Sequence, residues 1–501
     1  MAVKLAMKVR PFLNLKKLSK LMPCNLFNDR IKKYIEYYGD DIFIVCKKYN
    51  KILKIFIPST VIIAIFGVLK FKFLLLSVVP LTLIAYLYPL LYVWSKTEEH
   101  KKVVNSEAPF IALVAYIDSL VDKGLNYTFK ELSEIQELKV PKVEQNFLLK
   151  MTTYMNMSFS KAIEKRALVH NGDLLGKLYN NYLSALNLGI TVRDRLKDVL
   201  KDLLNDLKDS YKSYVEKSTE LTELEFSLFL LLPIVLIGFS FTFKVSLIEL
   251  LLPLLFVPPI IFLVSSIQPN VEYNIKYGKY LYTLVAIPVL LLIPNINLEY
   301  KILASISILL VLSYYIYSQI TLANELEKSL PILLKEVSEY LKIGYTIQNA
   351  IPKVKLNSKR VNVILENFLR KPDSVSSPSK LFNVTFKLLF IIAKTGSSSI
   401  SLEELANSIS EIIYNKNNLI KQLKLFDVMV ILTPVMLWLT FSMLGKISIT
   451  TIPSVSIISA YSIASVLIFS KVSRFTLLYF PSILLMTIIL AILSVLPPVF
   501  L

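Results

Sequence analysis

The segment SLPILLKEVSEYLKIGYTIQNAI, residues 329–351, lies between two long apolar stretches and yet carries the pattern of a water-facing helix. Its Leu, Ile and Val residues recur every three or four positions, which is typical of an amphipathic helix. Gly344 interrupts this pattern, and Thr346 stands where the pattern restarts. Glycine ends helices readily because it adopts a left-handed conformation without a Cβ clash. The segment therefore predicts a helical hairpin placed between membrane segments.

The composition of the whole chain fits such a mixture of membrane and water-facing parts. Of 501 residues, 54% are hydrophobic, while the formal net charge is +19. The mean hydropathy of +0.57 is too high for a soluble protein, and the charge is too great for a chain buried in lipid throughout. The two cysteines, Cys24 and Cys46, form no larger framework and predict free thiols in a reducing cytoplasm.

The N-terminal region is strongly basic. Residues 1–51 contain 12 Lys or Arg against 4 Asp or Glu, a local excess of 12 − 4 = +8. Without a continuous apolar segment, the region is no secretory signal peptide. It predicts a cytoplasmic arm whose lysines contact anionic headgroups. No nucleic-acid-binding motif accompanies the charge, so we expect no nucleic-acid partner.

Nine apolar segments have the length needed to cross a bilayer, roughly 17–25 residues. They are 52–69, 73–94, 226–243, 247–267, 278–294, 302–320, 425–444, 447–470 and 475–501. Lys and Arg favour cytoplasmic loops. The N-terminal arm and the charged blocks 95–224 and 321–424 hold most of the basic residues, and an even number of crossings separates each from the next. We therefore expect all three in the cytoplasm, and the C-terminus outside the cell membrane.

This pattern predicts an all-α, polytopic membrane protein with two homologous cytoplasmic helical bundles. The predicted divisions are a basic arm over 1–51, a transmembrane pair over 52–94, a first bundle over 95–224, four transmembrane helices over 225–320, a second bundle over 321–424 and three transmembrane helices over 425–501. The last helix of the first bundle is predicted to face the core with one apolar stripe, formed by Leu196, Val199, Leu200, Leu203, Leu204 and Leu207.

Four glycine joints, two in each bundle, indicate that the bundles are duplicates. In each joint a helical stretch runs into a glycine. A Ser or Thr follows, with an acidic or amide side chain three residues later, which is the spacing of a capping box. The glycines are Gly124, Gly189, Gly344 and Gly396, and the capping pairs are Thr128–Glu131, Thr191–Asp194, Thr346–Asn349 and Ser401–Glu404. The first helix of each bundle also carries a proline, Pro109 or Pro331, placed like a first-turn residue.

These features resemble those of the type II secretion F-domain family, the platform proteins of type IV filament machines. The motifs concerned are the proline-started helix, the glycine, and a hydroxyl-capped second helix that begins TIQNAI, together with SFSKAIEKRA at 158–167. The resemblance covers roughly 95–470 and is closest to the archaeal pilus and archaellum form. The chain departs from the pattern in SSSIS after Gly396 and in the Ser/Pro-rich PDSVSSPSK at 372–380.

The resemblance implies a protein without catalytic activity or cofactor. Such a platform docks a cytoplasmic hexameric ATPase and couples its motion to the insertion of pilin-like subunits into a filament. A homodimer is compatible with the resemblance. The candidate ATPase-facing residues are basic ones near the joints, since cationic patches can steer an acidic partner. They are Arg193, Arg195, Lys197, Lys353, Lys355, Lys359 and Arg360; contacts with water or headgroups explain their charge equally well.

The motifs of common enzymes are missing from the sequence. GDLLGKL at 172–178 has the wrong spacing for a phosphate loop, and the two histidines, His100 and His170, cannot form H-E-x-x-H. We expect His170 to be a surface or helix-end residue rather than a ligand.

Two alternatives stay open, a transporter or channel and a receptor for another cytoplasmic complex. Against a transporter, the predicted spans hold ionisable residues only near their ends, at Glu225, Glu249 and Asp427.

Overall fold

The structure is a computed structural model. It describes residues 29–40, 42–47, 51, 72–239, 250–271, 273–276, 298–370, 376–395, 399–445 and 454–495. These residues are helical apart from turns and short connections, with no strand among them; one isolated antiparallel bridge pairs Tyr273 with Ser379. The all-α prediction is therefore confirmed for the part of the chain that the structure describes.

The α-helices are numbered here in chain order. They are α1 Asp29–Tyr38, α2 Lys72–Ser119, α3 Leu125–Ser133, α4 Val140–Leu149, α5 Phe159–Val169, α6 Leu174–Leu188, α7 Val192–Phe226, α8 Leu232–Phe239, α9 Val257–Ile267, α10 Leu298–Lys342, α11 Ile347–Ala350, α12 Lys359–Arg370, α13 Lys380–Thr395, α14 Ser399–Leu423, α15 Leu425–Gly445, α16 Ser454–Arg474 and α17 Phe480–Val495. Turns of π-helix follow α4 at Lys150–Tyr154 and α7 at Ser227–Leu231, and 3-10 turns occur at Leu252–Phe256 and Ile351–Lys353.

The chain divides into two compact units, residues 1–200 and 201–501. In the first unit, apolar side chains from the end of α2 and from α3 to α6 form the core. Buried members include Ile111, Leu113, Phe129, Leu132, Leu148, Ile163, Leu178 and Tyr179. The six residues predicted to line the core side of α7, from Leu196 to Leu207, are all buried, which confirms that stripe.

Part of the predicted N-terminal arm belongs to the first unit. Ile35 and Tyr38 of α1 pack with Val45, Cys46 and Val93 in one buried cluster. This segment is therefore packed on protein, which its basic composition did not predict. Cys46 is disulfide-bonded, so the prediction of free thiols is wrong for it.

The second unit contains a helical bundle and a set of apolar helices that share a continuous hydrophobic core. In the bundle, Phe368, Phe382 and Phe386 form an aromatic cluster with ring centroids 5.0–5.7 Å apart. Further along, buried side chains of α7, α10, α14, α15, α16 and α17 meet in one cluster that includes Leu221, Leu312, Leu423, Leu437, Tyr461 and Met486. The bundle and the apolar helices of this unit are thus packed as one body.

The first helix of each predicted bundle does not begin at its proline. Pro331 lies inside α10, which runs unbroken from Leu298 to Lys342. Pro109 likewise lies inside α2. An internal proline removes one backbone hydrogen bond and costs about 3 kcal/mol. The buried side chains on either side, such as Leu330 and Leu333 around Pro331, hold the long helix together despite that cost.

Three helices among the described residues are long and apolar enough to cross a membrane: Tyr300–Lys342, Ser399–Thr440 and Ile457–Arg474. Shorter apolar helices occupy Leu252–Ile267 and Phe480–Leu493. The predicted spans 52–69 and 278–294 lie outside the described residues, and several others fall only partly within them. Among the described residues, the structure therefore supports a membrane protein and shows three candidate spans, fewer than the nine predicted for the whole chain.

Candidate functional site

Three of the four predicted joints lie among the described residues, and all three end their first helix in the same way. In each, a backbone amide donates to the carbonyl five residues earlier, which is the Schellman arrangement of a helix C-terminus. The bonds run from Lys123 to Asp118 at 2.9 Å, from Ile190 to Ala185 at 3.1 Å and from Tyr345 to Tyr340 at 3.0 Å. Gly396, the glycine of the fourth joint, lies outside the described residues.

In two of the three joints, the residue with a left-handed backbone conformation is the predicted glycine. Gly189 has φ 66° and Gly344 has φ 98°. At the first joint Asp122 takes this position with φ 56°, while Gly124 is extended, with φ −86° and ψ 168°, and caps the start of α3. The predicted role of Gly124 as the left-handed residue is therefore wrong. Aspartate can take over because its short polar side chain tolerates that conformation better than most side chains do.

Two of the predicted capping hydroxyls stand at helix starts. Thr191 immediately precedes α7, and its hydroxyl donates to the carboxylate of Asp194. Thr346 is the N-cap residue of α11, where its carbonyl accepts from the Asn349 amide at 3.0 Å and its side chain makes no capping bond. At the second joint the two members of the predicted capping pair are thus in side-chain contact.

The capping roles of Thr128 and Ser401 are contradicted, because both residues lie inside helices and are buried. The helix α3 begins directly after Gly124, since Leu125 and Phe129 bury one face from its first turn. Thr128 therefore falls in the second turn, and its hydroxyl donates to Asp118 Oδ2 at 2.7 Å. Ser401 falls in the first turn of α14, which begins at Ser399.

The seven candidate ATPase-facing residues are all exposed. Arg193, Arg195 and Lys197 follow the joint at Gly189, and Lys353, Lys355, Lys359 and Arg360 follow the joint at Gly344. Lys353 Nζ lies 4.1 Å from the ring centroid of Tyr345, a cation–π contact at the joint itself. The structure thus places basic side chains beside both joints, and their role in binding stays a prediction.

Exposed apolar side chains flank the glycine of these two joints, a feature that the sequence analysis missed. We call Leu188–Ile190 the first tip and Ile343–Tyr345 the second tip. Leu188 is 69% and Ile190 48% exposed, while Ile343 is 74% and Tyr345 39% exposed. The signal was present in the sequence as an apolar residue on each side of the glycine, Leu-Gly-Ile and Ile-Gly-Tyr.

A buried ionic network lies in the first unit and was also missed. Arg166 of α5 pairs with Glu144 of α4, with Nε 2.9 Å from Oε2 and a second, shorter contact through Nη2. His170, at the end of α5, places Nδ1 2.7 Å from Asp173 Oδ2 and Nε2 3.1 Å from Glu144 Oε1. Two tyrosines complete the network: Tyr37 donates to Asp173 Oδ2 at 2.7 Å and Tyr179 to Glu144 Oε2 at 2.6 Å.

The network changes the proton affinities of its members. Burial opposes the charge of Glu144, but Arg166 and His170 outweigh it and hold the pKa of that carboxyl below its usual range. Burial likewise opposes protonation of His170, yet the carboxylates of Glu144 and Asp173 raise its pKa. The expectation that His170 ends a helix is confirmed, whereas its surface placement is wrong because the network buries it. The network joins α1, α4, α5 and α6 and serves stability in this unit.

The second unit has a buried ion pair of its own. Lys416 Nζ of α14 lies 2.7 Å from Glu327 Oε2 of α10, and Ser379 donates to Glu327 Oε1 at 2.9 Å. The Lys416 ammonium also lies 4.6 Å from the ring centroid of Tyr273. Because Tyr273 belongs to the connection after α9, the pair links that connection to both long helices of the bundle.

Polar contacts fix the connection between α16 and α17 in the same unit. Arg474 pairs with Asp427 near the start of α15, and Ser473 donates to Asp427 Oδ1 at 2.9 Å. The backbone carbonyl of Val472 accepts from Tyr214 Oη at 2.9 Å, and that of Lys471 accepts from Gln268 Nε2 at 2.9 Å. We call these contacts and the Glu327–Lys416 pair the base contacts, since they lie where charged helical segments meet apolar ones.

The chemistry of these sites is structural. In the part of the chain that the structure describes, no group of three His, Cys, Asp or Glu residues is placed to hold a metal ion. The arrangements present are helix joints, exposed apolar tips with basic neighbours, and buried ion pairs. The joints and the buried ion pairs position helices within the fold.

No protein-family model matches the sequence, and no curated protein or solved structure is significantly similar to it. The family resemblance therefore stays a prediction from the motifs.

Proposed function

We propose that this chain is the platform protein of an archaeal type IV filament machine, either a pilus or an archaellum. In this role it has no catalytic activity of its own. Its two cytoplasmic bundles dock a hexameric ATPase, and the motion of that motor is passed to the membrane helices, where pilin-like subunits enter the filament. The proposal includes the nine spans, the cytoplasmic N-terminus and the outward C-terminus predicted from the sequence.

The observation that carries the proposal is the continuity of α10. Its 45 residues run without a break from an apolar segment to the exposed joint at Gly344. At 1.5 Å per residue the helix is about 68 Å long. The part beyond residue 320, where the apolar stretch ends, accounts for about 33 Å of that length. A displacement applied at the joint is therefore passed along one continuous helix into the apolar segment, although Pro331 removes one backbone hydrogen bond on the way.

The base contacts support mechanical coupling. Ion pairs that are removed from water hold their partners in one geometry, and breaking one by removing a single partner typically costs about 3–5 kcal/mol. The buried pair Glu327–Lys416 joins α10 to α14 in this way, while the partly exposed pair Asp427–Arg474, which is worth less, joins α15 to the end of α16. A force that acts on the bundle helices is thus shared with neighbouring apolar helices rather than lost in a flexible connection.

Contacts in the same region of the second unit support the predicted sidedness. Tyr273 and Lys276, in the connection after α9, contact Asn324 and Gln319 at the charged side of α10's apolar stretch. The connection after α16 contacts Asp427. The nine predicted spans place both connections on the same side of the membrane as the second bundle, and their meeting at one end of the apolar helices agrees with that count.

Co-purification tests the proposal. The full chain in lipid nanodiscs is mixed with the hexameric secretion ATPase of the same host, under conditions where that ATPase is hexameric. We expect a stable complex and a change in the rate of ATP hydrolysis. Failure of the full chain to bind would contradict the proposal and favour the receptor alternative.

A pair of helix-weakening variants tests the coupling role of α10. Lys328 and Lys335 are exposed on this helix. Replacing both by glycine should loosen the helix by about 2 kcal/mol relative to replacing both by alanine. We expect the glycine pair to reduce filament assembly in cells while ATPase binding persists, and the alanine pair to leave both unchanged. Equal assembly by the two pairs would show that the stiffness of α10 does not matter.

A transporter or channel is the alternative function, and one observation favours it. Glu225 is buried where α7 meets its apolar continuation, and both of its carboxylate oxygens lack a hydrogen-bond partner. The π-helical turn Ser227–Leu231 follows directly, and such turns are frequent at functional sites. Ion flux through reconstituted proteoliposomes that is lost in Glu225→Gln would support this alternative over a platform.

A further inference from the structure

The two tips form a repeated structural element. Each consists of a left-handed glycine between two exposed apolar residues, at the end of a helix closed by a Schellman bond. Each is followed by exposed basic residues within the next sixteen positions. A single exposed apolar side chain is common on protein surfaces, but here the same arrangement of two apolar side chains beside basic residues occurs twice, which favours a shared role in binding. The structure thus presents two similar knobs.

We infer that the two tips are equivalent docking knobs, each of which binds an acidic, apolar-lined socket on a separate but identical subunit of one homo-oligomeric protein. The inference rests on the proposed function, in which that protein is the hexameric ATPase. One chain that carries the same knob twice requires a partner that offers the same socket at least twice. A homo-oligomer meets this requirement by its symmetry.

The charged side chains around the two tips predict the chemistry of the socket. Residues 340–360 contain five basic side chains and no acidic one. Of these, Lys342 pairs with Glu403 at 3.1 Å, and the other four are exposed beside the second tip. Residues 185–197 contain three basic side chains and one acidic one, a local charge of 3 − 1 = +2. A complementary surface is therefore negative around an apolar pocket.

The position of the tips along their helices favours a protein over lipid. The second tip follows the 22 residues of α10 beyond position 320, so about 33 Å of helix separate it from the apolar stretch. The first tip precedes α7, whose 35 residues correspond to about 52 Å of helix before the next apolar stretch begins. Apolar side chains held this far along a helix from the membrane segments are suited to a partner in the cytoplasm.

Affinity measurements with tip variants test the inference. One variant carries Leu188→Ser and Ile190→Ser, a second carries Ile343→Ser and Tyr345→Ser, and a third carries all four changes. The control carries Leu168→Ser and Tyr414→Ser, which replace equally exposed apolar residues away from the tips. The full chain in nanodiscs is immobilised, and the hexameric secretion ATPase of the host is the probe.

Loss of one tip should weaken binding about 100-fold, because a bivalent attachment becomes monovalent. Loss of both tips should abolish binding, and the control should bind like the wild type. A monomeric variant of the ATPase should bind the chain weakly. A chain that keeps only one tip, whichever it is, should bind this monomer as well as the wild type does, because one subunit offers one socket.

Three binding results overturn the inference while leaving the proposed function standing: full-affinity binding by the variant with all four changes, equal losses in the control and the tip variants, and binding that needs one tip only. Capture of anionic phosphatidylglycerol vesicles by the wild-type nanodiscs, lost in the tip variants without any change in ATPase binding, would assign the tips to lipid instead. If the wild-type chain fails to bind the hexamer, the proposed function itself fails, and this inference fails with it. Melting curves of the variants should lie close to that of the wild type, since most substituted side chains are exposed and the lost contact between Tyr345 and Lys353 is worth only about 1 kcal/mol.

Discussion

Asp118 lies in surroundings that disfavour its charge. The side chain is buried beneath the first joint, and burial raises the pKa of its carboxyl to about 7, although the hydrogen bond from Thr128 works in the opposite direction. A carboxyl whose pKa is raised in the folded state binds its proton more tightly when folded. Its contribution to stability is therefore full at low pH and is lost as the pH rises through about 7.

The variant Asp118→Asn tests this assignment. Asparagine keeps an oxygen that can accept from Thr128 but carries no charge at any pH. We expect the variant and the wild type to melt at similar temperatures at about pH 3, where the carboxyl is protonated in both the folded and the unfolded state, and the variant to melt several degrees higher at pH 8. If the difference in melting temperature is the same at both pH values, burial does not raise the pKa of the Asp118 carboxyl and this assignment is wrong.

Arg166 is the centre of the buried ionic network, and its removal leaves Glu144 charged without its main partner. We expect Arg166→Met to lower the free energy of unfolding by about 3–5 kcal/mol. Lys165→Met is the matched control, since Lys165 is the exposed neighbour of Arg166 and should change stability by less than about 0.5 kcal/mol. Chemical denaturation measures both.

The double variant Arg166→Met with Glu144→Leu should recover a large part of the loss, because it removes the unpaired buried charge. If Arg166→Met alone proves as mild as Lys165→Met, the network is exposed to water in solution and the packing described for it is wrong.

At the scale of elements, the joints divide into those that need glycine and one that does not. A Cβ added to Gly189 or Gly344 would meet no neighbouring atom, but both residues have positive φ, so the cost of a side chain is conformational. We expect Gly189→Ala and Gly344→Ala each to cost about 1–2 kcal/mol.

Gly124→Ala is the matched control. Its backbone is extended, and an added Cβ would lie 3.4 Å from the Tyr182 hydroxyl, an ordinary contact. We expect a change within about 0.5 kcal/mol in urea unfolding. A loss at Gly124 as large as at the other two would mean that the first joint does use glycine as its left-handed residue.

The sequence allowed several of these elements to be predicted, because their signals are local. Helical periodicity identified the core stripe of α7, and single glycines marked two joints correctly. The start of a helix proved harder to predict. Thr128 and Ser401 had the spacing of capping residues, yet buried apolar neighbours extended α3 and α14 past them. Pro331 resembled a first-turn residue, while tertiary packing carried α10 through it.

The buried ion pairs could not be predicted, because they depend on contacts far apart in the chain. Glu144 and Arg166 are 22 residues apart, and Glu327 and Lys416 are 89 apart. In the sequence each of these residues resembles any charged residue on a solvated helix face. Only the packing of several helices takes the charge out of water. The exposed tips were missed because an apolar residue beside a glycine usually packs against the end of its own helix, so the sequence gives no sign that it is exposed.

At the scale of the molecule, the proposed function depends on the side of the membrane on which the two charged blocks of the chain lie. A single cytoplasmic motor can hold both tips only if the blocks 95–224 and 321–424 stand on the same face of the membrane. The long helices α7 and α10 lead from the joints toward apolar segments, which is how a platform would pass force inward. The platform function and the binding of both tips by one partner require this arrangement.

Cysteine accessibility measures the arrangement most directly. In a Cys24→Ser, Cys46→Ser background, single cysteines replace the exposed residues Asn187 and Gln348, one near each tip, and a third replaces Leu501 at the C-terminus. Intact cells are treated with a membrane-impermeant maleimide before and after permeabilisation. We predict that Asn187→Cys and Gln348→Cys are labelled only after permeabilisation, whereas Leu501→Cys is labelled in intact cells. Labelling of the two tip positions from opposite faces of the membrane would contradict the platform function.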